Sequence, residues 1–230
     1  MTTAQPPTIP RRIGIMADGS RRWAARNGVS TEEGYREGAA HLLRFFSWCQ
    51  ELGIESVTAW LATERNVLRR PAHEMAGLYE VIGQLAHDVA APGRYRLRVI
   101  GSLDLVPPQL AASLTAAADS TAAVDGMEVV LGVACGGRSQ ILRAVEGCLA
   151  ERPGERLTEE AVTAWLARHH QGTMDLMIRA SGESRLSDMG LWEAAWAELH
   201  FSGPLWEDFT RSDLDYALKS FATSQRRFGY

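Results

Sequence analysis

Residues 13–23 read Ile-Gly-Ile-Met-Ala-Asp-Gly-Ser-Arg-Arg-Trp, an apolar run that turns abruptly into an acid, a glycine, a hydroxyl and two guanidinium groups. This order predicts a strand that ends in a polar loop, which in turn opens a helix. Gly19 permits close backbone approach, and Ser20 can cap the helix. The free amides of the first helical turn add partial positive charge to Arg21 and Arg22. Because Asp18 would repel an anion unless a cation lay between them, the stretch indicates a metal-bridged phosphate or diphosphate site.

The rest of the chain alternates strands with helices. Further strands are predicted at 54–61, 95–100, 127–133, 176–178 and 199–201, and helices at 23–28, 30–53, 71–92, 107–123, 139–149, 158–169 and 213–228. This alternation predicts an α/β fold with a central parallel β-sheet flanked by α-helices. The polar segments that follow Met16, Leu61, Val133 and Ile178 are then expected to meet at one edge of the sheet, where they form the site.

Length and composition indicate a single domain. The chain has 230 residues, of which 46% are hydrophobic and 23% are charged. We predict a flexible leader over residues 1–10, which carry no secretory signal, and one catalytic domain over residues 11–230. No apolar run reaches the ~18 residues of a membrane-spanning helix, so we expect no integral membrane segment and a cytoplasmic protein. The net charge of −4, without a basic tract, argues against a nucleic-acid partner.

Other common site chemistries find little support in the sequence. Cys49, Cys135 and Cys148 are widely spaced and lack a CxxC pair, which favours reduced thiols over a disulfide framework or a zinc site. The six histidines have no metal-ligand spacing, and most of them, with His169 and His170 at a helix end, are expected at the surface. The sequence has no GxSxG, P-loop or GxGxxG motif, which argues against nucleophilic hydrolysis, nucleotide hydrolysis and dinucleotide binding.

A second polar loop follows the strand predicted at 176–178. Arg179, Arg185 and Ser187 lie close together on it, and three such donors match the several oxygens of a diphosphate. A solvated turn is the alternative. Glu198 lies in an otherwise apolar stretch and is a candidate second Mg²⁺ ligand, since Mg²⁺ prefers carboxylate and phosphate oxygens. An exposed glutamate at a helix end is the alternative for this residue.

Several motifs along the chain carry a family resemblance. They are Asp-Gly-Ser-Arg-Arg-Trp-Ala at 18–24, Arg70-Pro71 with Glu74, Gly-Gly-Arg at 136–138, Asp-Leu-Met-Ile-Arg-Ala-Ser-Gly-Glu-Ser-Arg-Leu-Ser at 175–187, and Arg-Arg-Phe-Gly at 226–229. In order, spacing and residue type they resemble the successive motifs of the cis-prenyltransferase (undecaprenyl diphosphate synthase) family, over nearly the whole chain.

The resemblance implies a parallel sheet flanked by helices, an apolar pocket, and a homodimer that binds small prenyl diphosphates. Asp18 and Glu198 match positions that bind Mg²⁺, and Asp18 then helps the allylic diphosphate to leave. Arg22 matches the arginine that holds this leaving group. The other residues expected to bind diphosphate are Gly19, Ser20, Arg21, Arg70, Arg179, Arg185 and Ser187. Arg227 and Gly229 match a tail motif that reaches the phosphate site of the neighbouring subunit.

Some residues depart from the pattern of a regular chain elongator. That pattern has Asn-Gly in place of Ser20-Arg21, an arginine in place of Thr31 and a histidine in place of Tyr35, all around the allylic diphosphate. The Asp-Gly-x-Arg-Arg-Trp form and the run at 27–30 instead resemble cyclolavandulyl and related lavandulyl-type diphosphate synthases, including isosesquilavandulyl ones, which join prenyl units head to middle. Glu183 departs from the cyclolavandulyl pattern.

We therefore predict an irregular, Mg²⁺-dependent prenyltransferase. It would condense dimethylallyl diphosphate, attacking through C2, with dimethylallyl or geranyl diphosphate to a lavandulyl-type product, cyclised or not. The expected catalytic residues are Asp18, Arg22, Tyr35 and Glu198, with Tyr35 or the released diphosphate taking up the lost proton. Apolar walls that keep water from the cation are expected at Trp23, Trp60, Leu61 and Leu131. The alternatives are a regular head-to-tail short-chain cis-prenyl diphosphate synthase that uses isopentenyl diphosphate, and a non-catalytic scaffold subunit.

Overall fold

A single sheet lies at the centre of the computed structural model, which describes residues 9–224. Its strands are β1 (Arg12–Met16), β2 (Ser56–Trp60), β3 (Tyr95–Ile100), β4 (Met127–Gly132), β5 (Leu176–Arg179) and β6 (Glu198–Phe201). All of these strands are parallel, and they lie in the order β3-β4-β2-β1-β5-β6. β2 and β5 are buried along their whole length, as expected for strands covered on both faces. The predicted α/β fold is confirmed.

Helices cover and connect these strands. In the described range they are α1 (Ser20–Asn27), α2 (Thr31–Glu51), α3 (Glu64–Arg69), α4 (Ala72–Ala90), α5 (Pro108–Ser120), α6 (Gly137–Glu151), α7 (Glu159–His169) and α8 (Arg211–Thr223). α2 begins with the capping box that the sequence predicts, in which Ser30 and Glu33 each accept the other's backbone N–H. Residues 1–8 of the predicted leader, and the end of the helix predicted at 213–228, lie outside the described residues.

The register of the strands aligns their carboxyl ends. Met16 at the end of β1 pairs with Trp60 of β2 on one side and with Arg179 of β5 on the other. Trp60 in turn pairs with Gly132 at the end of β4. The segments that follow these four strands therefore meet at one edge of the sheet, as predicted.

Three glycines make room for the indole of Trp60 beside this edge. A Cβ on Gly14, Gly132 or Gly190 would lie within 2.8, 2.9 and 2.8 Å of an indole carbon. Because real Cβ atoms do not approach so closely, each of these positions must lack a side chain for the ring to fit. Trp60 is 4% exposed and belongs to a small apolar cluster separate from the main core.

Local structure at the start of α1 differs from the prediction. The helix begins at Ser20, and its N-cap is Gly19, whose φ of 128° is readily adopted by glycine. No side chain caps this helix end, so the prediction that Ser20 is the cap is wrong. Ser20 is instead the first helical residue.

Two further predictions need correction or extension. α3 was not predicted, because six residues rich in charged and polar side chains show no helical periodicity. His170 is 6% exposed, so the expected surface position is wrong for this residue. Cys49 and Cys135 are buried free thiols and Cys148 is a half-buried one. Across the described part of the chain, no helix is long and apolar enough to cross a membrane.

Candidate active site

A cavity of about 980 Å³ opens at the carboxyl edge of the sheet. Its rim carries every diphosphate-binding residue predicted within the described range: Gly19, Ser20, Arg21, Arg22, Arg70, Arg179, Arg185 and Ser187. Its interior is lined by apolar side chains of α2 and α4, among them Leu42, Leu78, Val81, Ile82 and Leu85. The cavity therefore has a strongly cationic mouth and an apolar interior, which suits an amphipathic ligand with an anionic head.

Asp18 lies at the centre of the mouth, directly after β1. Its carboxylate accepts from Arg179 Nη2 at 2.7 Å and lies 3.5 Å from Arg22 Nη2. The backbone fixes the residue as well, since the Asp18 amide donates to Met16 and its carbonyl accepts from Trp206. Asp18 thus stands between an arginine from the first loop and an arginine from the second.

The second loop is organised around the buried guanidinium of Arg179, which is 4% exposed. Arg179 Nη1 donates to Ser187 Oγ at 2.7 Å and to the carbonyl of Arg185. Ser187 and the next residue, Asp188, have φ values of 52° and 67°, which side-chain-bearing residues rarely adopt. The strained turn directs the Ser187 hydroxyl at Arg179 and leaves Arg185 61% exposed at the mouth.

The other side of the mouth carries a cluster around Glu74, in the first turn of α4. Arg70 Nη1 lies 3.3 Å from its carboxylate and Arg21 Nη1 lies 3.8 Å from it. The Tyr35 hydroxyl donates to Glu74 at 2.7 Å and accepts from Arg70 at 2.9 Å. Glu74 therefore holds two cations and a phenol on the side of the mouth formed by α1, α2 and α4.

This cluster changes the interpretation of Tyr35. Burial, followed by the hydrogen bond to Glu74, raises the pKa of the Tyr35 phenol well above its ordinary value. The phenol stays protonated, and its hydroxyl is already engaged as donor and acceptor. The geometry therefore favours Tyr35 as an anchor for Arg70 and disfavours it as a proton acceptor.

Two of the four residues predicted to form apolar walls line the cavity, and two do not. Trp60 and Leu61 line the cavity, as predicted. Leu131 does not, because it lies in the interior of β4 and is fully buried in the main core. Trp23 does not line it either; the cavity-facing positions of α1 are Ser20, Arg21, Arg22 and Ala25. The prediction was wrong for these two residues.

Comparison with known proteins identifies the family of this chain. Residues 15–229 match the prenyltransferase family model described as "Putative undecaprenyl diphosphate synthase". The chain belongs to the cis-prenyltransferase family. The cis-prenyltransferase is 37% identical to a short-chain Z-isoprenyl diphosphate synthase of Mycobacterium leprae, over 99% of this chain and 90% of that protein. It is also 37% identical to a (2Z,6E)-farnesyl diphosphate synthase of Thermobifida fusca, over 96% and 90% of the two chains.

A solved structure resembles the cis-prenyltransferase closely in three dimensions. Lavandulyl diphosphate synthase from Lavandula x intermedia, in complex with dimethylallyl diphosphate, superposes with a TM-score of 0.90. The match covers 97% of this chain and 99% of that one, at 29% sequence identity. The fold and the family are therefore established, and the names of these relatives state different diphosphate products.

Residues of the prenyltransferase fit a bound Mg²⁺ at Asp18. Mg²⁺ is commonly held by one or two protein carboxylates together with substrate phosphate oxygens. Asp18 offers a carboxylate that is 37% exposed at the cavity mouth, between two groups of diphosphate donors. Among residues 9–224 there is no group of three or more His, Cys, Asp or Glu side chains that could hold a metal by themselves. The donor set thus suits a metal that arrives with a diphosphate.

Glu198 is not brought to Asp18 within one chain. It opens β6 and pairs with Leu176 at the start of β5, three residues before Arg179, or about 10 Å along the strand. Its carboxylate accepts from Ser224, and it does not line the cavity. The structure of a single chain therefore does not support the prediction that Glu198 shares a metal with Asp18, because parallel pairing places it toward the opposite edge. Arg227 and Gly229 lie outside the described residues.

Sequence reasoning missed the residues of α4 that line the apolar interior of the cavity and the residue that fixes its wall at α3. Leu78, Val81, Ile82 and Leu85 recur at helical spacing, a pattern that is the same for side chains in a core and for side chains that line a pocket. Glu64 accepts hydrogen bonds from Ser102, Ser139 and Arg143, at 2.7, 2.6 and 2.9 Å. Although burial opposes it, these bonds lower the pKa of Glu64. No spacing in the sequence signals that these partners meet.

Proposed function

We propose that this cis-prenyltransferase joins a short allylic diphosphate to isopentenyl diphosphate, head to tail, and releases diphosphate. The observation that carries the proposal is the placement of Asp18 between two separate groups of diphosphate donors at the mouth of one apolar cavity. Two such groups suit two prenyl diphosphates held side by side. The names of the relatives that are 37% identical favour a short product with a Z double bond.

In this proposal the allylic diphosphate is held by residues 17–22, the loop after β1 together with the start of α1. Arg21 and Arg22 supply charge, and the unpaired amides at the start of α1 supply hydrogen-bond donors. Glu74 forms ion pairs with Arg21 and Arg70 at the mouth, and the Tyr35 hydroxyl accepts a hydrogen bond from Arg70. When bound at Asp18, Mg²⁺ would neutralise charge on the diphosphates and favour departure of the leaving group.

The second loop holds isopentenyl diphosphate. Arg179 and Ser187 are already arranged toward each other, and Arg185 extends at the mouth. The planar guanidinium groups of Arg179 and Arg185 can each bind two diphosphate oxygens. The apolar side chains of α2 and α4 receive the hydrocarbon chains and keep water away from the allylic cation.

Irregular head-to-middle coupling of dimethylallyl diphosphate is the second candidate. Its support is the 0.90 TM-score to lavandulyl diphosphate synthase, together with the unusual Ser20, Arg21 and Tyr35 around the first diphosphate. A lavandulyl-type product would follow from attack through C2 of a second dimethylallyl unit. A non-catalytic scaffold is disfavoured, because Asp18, Arg179 and Ser187 are assembled in contact with one another.

We further propose that the protein is a homodimer joined through the β6 edge of the sheet. Trp196, Leu199, Phe201 and Tyr216 are 59, 45, 39 and 68% exposed on and beside this edge strand. An exposed apolar patch of this kind is typical of an interface. Glu198 lies on the same strand and would belong to that interface.

Diphosphate release by the purified chain with Mg²⁺ tests these alternatives. We expect release with dimethylallyl and isopentenyl diphosphates together and little with either alone. Turnover of dimethylallyl diphosphate alone, to a branched product, would favour the second candidate. Absence of release with dimethylallyl, geranyl or farnesyl diphosphate, each with and without isopentenyl diphosphate, would favour the scaffold.

A further inference from the structure

Glu207 carries a buried carboxylate that the proposed chemistry has not used. It lies in a short 3-10 helix, Trp206–Asp208, behind the first diphosphate loop. Neither carboxylate oxygen is accessible to solvent, and neither meets a well-formed hydrogen bond within the described part of the chain. An unpaired buried carboxylate costs free energy, so its retention calls for a physical explanation.

A gap at Gly38 lets this carboxylate face Ser20. A Cβ on Gly38 would lie 2.9 Å from Glu207 Oε1 and 3.1 Å from Ser20 Oγ, so the two side chains approach the same point. The 3-10 helix is fixed there by Trp206, whose indole N–H donates to the Gly38 carbonyl at 2.8 Å. Any residue other than glycine at position 38 would intrude between the hydroxyl and the carboxylate.

Ser20 connects this buried carboxylate to the substrate cavity. Ser20 and Gly38 both line the cavity, whereas Glu207 does not. The Ser20 hydroxyl therefore has the cavity on one side and the Glu207 carboxylate on the other. A hydroxyl in this position can accept a proton from a ligand while it passes its own proton to the carboxylate.

We propose that Ser20 and Glu207 form the relay that takes up the proton lost at the end of the condensation. This inference rests on the proposed function and applies to either coupling, since both end with loss of one proton from a cation. The C–H bond next to the cationic carbon breaks, and its electron pair forms the new double bond. Ser20 Oγ binds the released proton, and the original Ser20 hydroxyl proton moves to Glu207, which becomes a neutral acid.

The surroundings of Glu207 suit a proton acceptor. Burial is the main cause that raises the pKa of Glu207, the Ser20 hydroxyl opposes it, and the charges of Asp208 and Glu37 add to it. Glu37 and Asp208 are themselves paired with Arg44 and Arg26, respectively. Tyr35, the other candidate, already donates its proton to Glu74. Glu207 is thus a buried carboxylate behind the cavity that faces the Ser20 hydroxyl and meets no well-formed hydrogen bond in the described part of the chain.

Steady-state kinetics of Ser20→Ala and Glu207→Gln test the relay, with Glu80→Gln as a matched control. Glu80 is an exposed carboxylate on α4 that does not line the cavity. We expect kcat to fall about 10²-fold in both relay variants, while KM for each substrate changes less than threefold. The control should keep wild-type kcat. A substrate deuterated at the lost hydrogen should show a larger isotope effect in the relay variants, because deprotonation becomes limiting.

A third variant separates the relay from general damage to the fold. Gly38→Ala leaves both relay groups in the chain but places a methyl group between them, and we expect a similar fall in kcat. Near-normal kcat in Ser20→Ala or Glu207→Gln would overturn the relay and leave the released diphosphate as proton acceptor. Equal losses in kcat and diphosphate affinity, without an increased isotope effect, would also overturn it. If the wild-type protein turns over no substrate pair, the proposed function itself fails.

Discussion

Arg179 donates from Nη2 to Oδ2 of Asp18 at 2.7 Å, so the group expected to hold the second diphosphate neutralises the carboxylate expected to hold Mg²⁺. While Arg179 Nη2 donates to Asp18, that N–H group is not available to a diphosphate. Mg²⁺ bound at Asp18 would replace Arg179 as the partner of the carboxylate and free this donor. The pair therefore predicts that metal and diphosphate bind with positive coupling.

Substitution of Asp18 should remove this coupling. In Asp18→Asn we expect kcat to fall by on the order of 10²–10³-fold, since charge stabilisation of the leaving group is lost. Calorimetric titration with isopentenyl diphosphate should show affinity that rises with Mg²⁺ in the wild type and is insensitive to Mg²⁺ in the variant. Wild-type turnover in Asp18→Asn would remove Asp18 from the mechanism.

Replacement of Arg179 by lysine should weaken the second diphosphate site. Lysine keeps the charge but lacks the planar fork that reaches Asp18 and Ser187 at once. We expect KM for isopentenyl diphosphate to rise about tenfold or more, with a smaller change for the allylic substrate. Arg168 of α7 forms an exposed ion pair with Glu151 of α6. Arg168→Lys is therefore the control and should leave both KM values unchanged. Equal effects on the two substrates would contradict the assignment of this loop.

Leu85 should limit the length of the product. It is 2% exposed, lines the cavity, and lies roughly 20 Å along α4 from its start beside Arg70. Leu85→Ala deepens the apolar interior, so we expect products longer by one or more isoprene units in chromatographic analysis. Gln84→Ala changes an exposed neighbour of Leu85 and should leave the product distribution as in the wild type. Unchanged products in Leu85→Ala would mean that the chain does not reach this residue.

Stability should fall as the pH drops below neutrality because of His170. Burial, with Arg143, His169 and Arg98 nearby, lowers the pKa of His170 to about 4. The unfolded chain binds a proton near pH 6.5, so between about 6.5 and 4 it holds more protons than the folded protein. This difference is worth at most about 3 kcal/mol. Urea unfolding at pH 7 and 5 should show a smaller pH effect in His170→Gln, whereas His87→Gln, at an exposed position, should behave as the wild type.

A charge on the β6 edge should prevent dimer formation. Phe201 is 39% exposed at the end of this strand and belongs to the patch that we propose as the interface. We expect light scattering to give a dimer for the wild type and a monomer for Phe201→Glu. Leu142→Glu, at a 64% exposed position on α6, is the control and should remain dimeric. A monomeric wild-type protein would contradict the proposed interface.

Much of the fold and the mouth of the site could be predicted because they depend on local patterns. The alternation of apolar strands and amphipathic helices specifies a parallel sheet, and parallel strands bring their carboxyl ends together. Asp18 lies two residues after the end of β1, and Arg179 is the last residue of β5. Their convergence therefore follows from topology alone.

The remaining features depend on register and packing, which are not local. Glu198 was expected beside Asp18, but its place depends on which end of β6 it occupies. Leu131 and Leu85 both belong to the main apolar core, and only the assembled fold shows that Leu85 also lines the cavity whereas Leu131 does not. Glu207 lay outside the predicted elements, and its approach to Ser20 depends on the missing side chain of Gly38.

The central claim is that two prenyl diphosphates meet at Asp18 and couple head to tail. Its most direct test is the NMR structure of the product formed from dimethylallyl diphosphate and ¹³C-labelled isopentenyl diphosphate with Mg²⁺. We predict that the label is incorporated into a linear diphosphate with a Z double bond. A branched product without label would contradict the claim and point to head-to-middle coupling.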